Sequence, residues 1–271
     1  MKARWRPLPS VVIPPLALLA AVVVLWQAAV VAFELPNYYL PRPGRVWQAA
    51  QEHASELVHA TGLTAAAALA GFVLSLAIGF VIALAFSQSR IIRRSMYPYA
   101  IFLQTVPIVA IAPLVILWFG NGFQSVVIVA FVISVFPIIT NATTGLTTVS
   151  PTLLELFEMY NATRWQVLWK LRVPNSVTYL VTGAKISCGL SVIGAIVGEQ
   201  FAGYGTQSFG LGYLIFEAAG LLQTDYQFAA VLCSTLLGIV IFATVNLVGS
   251  TILARWQSTE ATAATTIQGD V

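Results

Sequence analysis

Residues 151–175 read PTLLELFEMYNATRWQVLWKLRVPN, and they lie between two long apolar runs at 123–140 and 176–197. Pro151 suits the opening of a helix, where its missing N–H would have had no partner. Thr152 and Glu155 are expected in the first turn, where negative charge favours the free N–H groups. Leu153, Leu156, Phe157 and Tyr160 then recur at helical spacing on one face. Asn161 follows, and after Gly it is the residue that best tolerates the left-handed conformation closing a helix. A second short helix is predicted from Thr163 through Trp165, Leu168, Trp169 and Leu171, stopped by Pro174 before the next apolar run. The segment therefore reads as two short helices with a sharp turn, held at one end of a pair of apolar segments. Physics alone also allows an amphipathic linker among lipid headgroups, with Arg164, Lys170 and Arg172 as its basic contacts.

The rest of the chain tells where that segment sits. Of 271 residues, 58% are hydrophobic and 8% charged, against roughly 25% charged in a soluble domain. So little charge cannot cover a water-soluble globule of this size, and lipid must be the main solvent. A helix needs about 20 apolar residues to cross a hydrocarbon core of about 30 Å. Six stretches qualify, at 11–33, 62–86, 98–119, 123–140, 176–197 and 228–254. The runs are continuous, without the alternation of a membrane barrel. The expected fold is an all-α integral membrane protein with six transmembrane helices and a structured loop between the fourth and fifth. The run 11–33 is longer than the apolar region of a signal peptide and meets Glu34-Leu35-Pro36 without a small-residue cleavage site. It reads as a retained first span.

With residues 1–10 placed in the cytoplasm, ten of the 13 Lys and Arg residues fall on inner segments and only Arg42 and Arg45 on outer ones. That asymmetry puts both termini inside and makes the chain a multi-pass protein of the cytoplasmic (inner) membrane. Residues 11–256 form the membrane domain, and 257–271, without apolar periodicity, are expected to be a flexible cytoplasmic tail. Lys185 is the one clear charge inside a span and must face water or a partner. Gln104, Thr105, Pro107 and Pro113 in the third span, with Pro137 and Asn141 in the fourth, are either plain kinks or features of a pathway-lining region. The segment 199–226 carries Glu199, Glu217 and Asp225 with no Lys or Arg, and Gly203, Gly205, Gly210 and Gly212 permit tight turns. It is expected to be a partly re-entrant outer element.

Chemistry-bearing motifs are few. Cys188 and Cys233 lie in apolar runs, and His53 and His59 are six apart, so neither a metal site nor a catalytic one is expected. No Gly-rich phosphate loop followed by Lys-Ser or Lys-Thr occurs. If ATP drives this protein, another polypeptide binds it. An enzyme is not expected, and the competing reading is a secondary transporter or channel, for which Lys185 is the only candidate coupling charge.

The 151–175 segment resembles the cytoplasmic signature of binding-protein-dependent ABC importer permeases, which runs Glu-Ala-Ala, three residues, Gly, nine residues, Ile-x-Leu-Pro. Glu155 stands at the Glu, Asn161 at the Gly, Leu171 at the Ile, Val173 at the Leu and Pro174 at the Pro. Leu156 and Phe157 replace the two alanines, which implies a partner groove of different shape or a helix shifted in its seat. Thr105-Val106-Pro107, Ala112-Pro113-Leu114, Trp118-Phe119-Gly120, Arg164-Trp165-Gln166-Val167, Gly198-Glu199 and the run from Gly210 to Ile215 are similar to the nitrate, sulfonate, taurine and pyrimidine-precursor branch of the type I importers. The similarity covers roughly residues 60–255.

That resemblance implies two cytoplasmic ATPase subunits, carrying ATP and Mg, whose clefts receive a coupling helix. Glu155, Leu156, Phe157, Tyr160, Asn161, Arg164 and Pro174 would form it. It also implies a second permease copy, as a homodimer, and a soluble extracytoplasmic binding protein. Gln104, Thr105, Pro107 and Lys185 become pathway candidates, and Glu199, Gly210, Gly212 and Tyr213 outer-gate candidates. The cargo class is a small organic or oxyanion nutrient (pyrimidine or vitamin precursor, sulfonate, taurine, nitrate). The lack of arginine in the spans leans toward a neutral or aromatic one.

Overall fold

In lipid a backbone has no water to bond, and a helix is the form that satisfies a single apolar run internally. The computed structural model describes residues 8–202 and 210–268, and among these it holds helices and their connections, without strands. Lys2, Arg4 and Arg6, the turn glycines Gly203 and Gly205, and the tail residues 269–271 lie outside the described residues. The elements are α1 Leu8–Ala32, α2 Pro43–Glu52, α3 Ala54–Gln88, α4 Arg90–Thr105, α5 Ile108–Phe119, α6 Phe123–Thr147, α7 Pro151–Met159 and α8 Arg164–Val167. A π turn at Leu168–Arg172, α9 Val173–Ala202, α10 Leu211–Gly220 and α11 Thr224–Gln268 complete the order.

Five stretches are long and apolar enough to cross a membrane: those within α1, α3, α6, the continuous run Arg164–Ala202, and Thr224–Ala254. The expected third span, 98–119, is not one helix. α4 ends at Thr105, Val106 and Pro107 are extended (ψ 127° and 121°), and α5 starts afresh at Ile108. Pro107 has no N–H to continue the ladder and pushes Val106 out of the helical region, so a full break replaces a kink. Pro174 departs from expectation in the opposite sense. It does not stop a helix but sits second in α9. The π turn just before it shifts the hydrogen-bond register by one residue, which relieves the clash a proline makes in a regular α-helix. α11 likewise continues to Gln268 through residues expected to be a tail. Glu260, Ala261, Ala263 and Ala264 are good helix formers, and elongation from an existing helix needs no new nucleus.

α6 is the centre of the molecule, packed most extensively on α9 and then on α3. Small residues allow this. Ala130 of α6 is fully buried, wedged between Gly71 of α3 and Gly194 of α9. A Cβ on either glycine would stand only 2.6 or 2.7 Å from Ala130 atoms. Ser187 of α9 donates to the Ser134 carbonyl of α6 at 2.6 Å. Close approach and interhelical polar bonds of this kind hold helices together where lipid removes the hydrophobic drive, each bond being worth about 0.6 kcal/mol. α1 touches this core lightly, its Trp26 ring lying 5.6 Å from that of Phe228 in α11. Arg93, Arg164 and Arg172 line one cavity where α3, α6 and the start of α9 meet, with Arg94 in the adjoining groove and Lys170 in the π turn, a region called the basic end below. α2, α10 and Glu199 mark the opposite end.

Candidate functional site

At the basic end the two short helices form. α7 begins at Pro151, so Glu155 is its fifth residue, one turn further in than expected, and is exposed. α7 closes in a Schellman arrangement: Asn161 N–H donates to the Glu158 carbonyl at 2.9 Å and Ala162 N–H to the Phe157 carbonyl at 3.0 Å. Asn161 takes φ 50°, the left-handed conformation its chemistry predicts. Thr163 then caps α8 at once. Its hydroxyl accepts from Gln166 N–H at 3.3 Å, and its own N–H donates to Gln166 Oε1 at 2.7 Å, a reciprocal capping box. Asn161→Val is expected to cost about 1–2 kcal/mol through its β-branched left-handed residue, while Asn161→Gly is tolerated. Limited proteolysis at the turn should run about ten-fold faster in the valine variant only.

The outward face of this loop is apolar. Leu153 and Leu156 are exposed, and Met159 and Tyr160 are about four-fifths exposed (81% and 80%). Phe157, expected on this face, is half-buried, because the helix is rotated to turn Leu154 and Phe157 toward the body of the protein. Met159 shares this exposed apolar face and is missed by the sequence reading, although its spacing of three from Leu156 is a visible signal. Arg164 is exposed at the loop's base and, with Glu158, lines a cavity of about 510 Å3 between the loop and the end of α3.

Below α8 the chain is fastened. Leu168 is buried against Ala83 of α3 and Ala142 and Leu146 of α6. Arg172 donates to the Ser87 carbonyl at the end of α3 at 2.8 Å. Asn175 donates to the carbonyls of Gly145 at 2.7 Å and Thr148 at 3.0 Å, at the end of α6. A force applied to α7 and α8 thus reaches α3, α6 and α9 together.

Midway along the protein the break at Val106-Pro107 opens a cavity of about 340 Å3. Gln104, Thr105 and Pro107 line it from one side, and Ile133, Phe136 and Pro137 of α6 from the other. Thr105 Oγ1 donates to the Phe102 carbonyl at 2.8 Å, leaving its lone pairs and the Gln104 amide as polar side-chain groups there. Among the described residues no charged side chain lines this space. Lys185 does not join it. Its Cε lies 3.5 Å from where a Cβ of Gly249 would stand, so the side chain runs along α11, away from Gln104 and Thr105.

At the opposite end Glu199 is buried (6% exposed). One carboxylate oxygen, Oε2, accepts from Thr64 Oγ1 of α3 at 2.9 Å and from Gly212 N–H at 2.8 Å. Thr64 in turn accepts from Leu211 N–H at 2.9 Å. A carboxyl oxygen thus sits at the first turn of α10, bonded to Gly212 N–H directly and to Leu211 N–H through Thr64, the end of a helix that favours acceptors. Gly210 and Gly212 are required by this contact. A Cβ on Gly210 would overlap the Glu199 carboxylate, and one on Gly212 would overlap the Ile196 carbonyl oxygen. Three of the four expected gate residues therefore meet in one latch. Tyr213, the fourth, is half-buried, and its hydroxyl reaches Glu217 Oε1 at 3.3 Å. Thr64 is the member that sequence reading misses.

Apolar spans packed through small residues, one of them broken around a cavity, with an exposed two-helix loop fastened to three others, define a membrane transport component. The chain belongs to the family of binding-protein-dependent transport system inner membrane components, which matches residues 71–257. It is the permease of an ABC importer, which removes the secondary-transporter alternative. It is 31% identical over 232 residues, 86% of this chain and 93% of the relative, to a probable ABC transporter permease protein of Haemophilus influenzae. It is 33% identical to a riboflavin transport system permease protein of Chloroflexus aurantiacus, covering 89% of this chain and 88% of that one. A formylaminopyrimidine transport permease protein of Halalkalibacterium halodurans is 33% identical, with 86% and 92% covered. Among solved structures the fold is similar to a chain of the inward-facing MetNI methionine ABC transporter, with a TM-score of 0.56 at 16% identity over 75% of this chain and 95% of that one.

Proposed function

We propose that this permease moves a small uncharged heterocyclic nutrient inward, past the break at Val106-Pro107, using work delivered to α7 by separate ATPase subunits. The basic end then faces the cytoplasm, in keeping with the excess of Lys and Arg there. Two ATPase subunits, holding ATP and Mg, seat α7 in their clefts. Leu153, Leu156, Met159 and Tyr160 supply the apolar contact, and Glu155 and Arg164 fix its orientation. A second copy of the chain completes the path, and an extracytoplasmic binding protein delivers the cargo. Glu199, Thr64, Gly210 and Gly212 act as the outer latch, which must loosen for the path to open outward. Lys185 remains a pathway candidate only if it swings away from α11 during the cycle.

The observation that carries this reading is an exposed apolar helix tied to three spans, a lever with a handle left free in the isolated chain. For the cargo, support comes from the charge-free lining of the cavity. A fixed guanidinium or ammonium is the usual means of holding an oxyanion. The riboflavin and formylaminopyrimidine permeases named above carry cargo of the heterocyclic kind by their names.

Affinity capture of the tagged chain from detergent-extracted membranes, followed by an ATPase assay, tests the coupling. Wild type is expected to bring down an ATPase subunit, and Glu155→Arg to lose it. A folded wild-type chain that captures no ATPase would overturn the proposal.

A further inference from the structure

Near the basic end, α4 and α6 part to leave a groove of about 330 Å3. Arg93, Arg94 and Tyr97 line it from α4, and Thr140, Thr143, Thr144 and Thr147 from the last two turns of α6. Among the described residues no carboxylate lines it. Among the described residues neither guanidinium has a hydrogen bond or ion pair, the one ion pair there being His53–Glu56 at the other end of the molecule. Glu158 belongs to the neighbouring cavity, which Arg93 also borders together with Arg164 and Arg172.

The four threonines are not equivalent. Thr140, Thr144 and Thr147 each donate their hydroxyl proton to a carbonyl of the preceding turn, so in the groove they offer only lone pairs. Thr143 is 4% exposed, and its Oγ1 has no partner. A buried hydroxyl with an unused proton, on a residue lining the same groove as two unpaired guanidinium groups, calls for an acceptor that carries negative charge.

We infer that this groove is a binding site for a phosphate-bearing anion, held by Arg93 and Arg94 and completed by the Thr143 hydroxyl. The site lies outside the cavity at Val106-Pro107 and has no part in the latch. Threonine lone pairs on α6 suit guanidinium N–H donors and would steady the two arginines around the ligand. The other face of α4 is apolar and exposed at Ile91, Met96, Tyr99 and Phe102. A phospholipid could lay its chains there with its headgroup in the groove, and basic pockets between helices on the cytoplasmic side are where anionic headgroups bind. The same chemistry would accept inorganic phosphate from solution.

Native mass spectrometry of the full chain, released from an equal mixture of phosphatidylglycerol and phosphatidylcholine, is the first arm. The second is the shift in unfolding temperature produced by inorganic phosphate. Preferential retention of phosphatidylglycerol is expected, falling about five-fold for each of Arg93→Gln and Arg94→Gln. Thr143→Val should also lower retention, and Thr143→Ser should restore it. Unfolding without added anion checks that each variant folds. If phosphate stabilises wild type but not the variants and phosphatidylglycerol is not retained, the anion site stands and its source is soluble. Wild type that prefers neither anion, or variants that bind both as wild type does, would overturn the inference.

Discussion

Leu156→Asp combined with Tyr160→Asp is expected to lower transport-linked ATPase activity about a hundred-fold while leaving the unfolding midpoint unchanged. Both side chains are exposed, 45% and 80%, so the isolated fold does not depend on them. In the proposed complex they become the apolar anchor of an interface. Truncating one such anchor typically costs 2 kcal/mol or more, roughly thirty-fold in affinity, and a carboxylate placed there adds the cost of burying charge. With the added cost of buried charge, the two substitutions together reach about a hundred-fold even where their effects fall short of additive. Reconstituted permease and ATPase in proteoliposomes, assayed with and without the loaded binding protein, give the rate. Wild-type stimulation by the double variant would sink α7 as the coupling element.

The second large effect lies at the opposite end. Gly212→Val places a branched side chain where the Ile196 carbonyl oxygen already stands, with Glu199 Cβ 2.9 Å from the added Cβ. Backbone blocks the space, so no rotamer relieves the clash and α10 must shift. The Gly212 N–H then leaves the Glu199 carboxylate, which is 6% exposed and retains only Thr64. Overpacking and a weakened buried acceptor together cost about 3 kcal/mol or more. Thermal unfolding in detergent should fall accordingly and uptake should drop to background. Thr64→Val is a milder companion, removing one hydroxyl while conserving shape. A Gly212→Val protein with normal stability and uptake would show that the latch does not hold α10.

What could be read in the chain was mostly local. Asn161 specifies a turn through its own side chain and is found as its chemistry requires; the reciprocal cap of Thr163 and Gln166, equally local, adds to the helix start expected at Thr163. The spans were legible from apolar length, because in lipid that length alone decides whether a helix crosses. Pro174 misleads because its effect depends on the register of the turn before it, and Leu168–Arg172 carries no composition that announces a π turn. Pro107 misleads in the other direction, since the same residue type yields a break when the preceding residue is free to extend. The latch shows the limit most clearly. Glu199, Gly210 and Gly212 are close in sequence and share a pattern, but Thr64 joins them across 135 residues. Nothing near Thr64 distinguishes it from Thr61, whose hydroxyl merely bonds the Leu57 carbonyl one turn back at 2.6 Å.

The π turn before α9 also sets a phase. A wide turn accommodates about one residue more than the α-helix it interrupts, and each residue of an α-helix advances the chain by about 100°. The direction in which α7 and α8 project from the fifth span is thus indexed by a single surplus residue. A one-residue deletion within Leu168–Arg172 could be absorbed by closing the turn to ordinary α geometry, with the span intact and its small-residue contacts to α6 kept. The loop would then leave the membrane rotated by about a quarter turn, its apolar face aimed away from the proposed ATPase cleft. Insertions and deletions at this one turn would re-aim the proposed drive shaft at the cost of re-seating only its own anchors, Leu168 and Arg172, while the contacts among α3, α6 and α9 further along stay as they are.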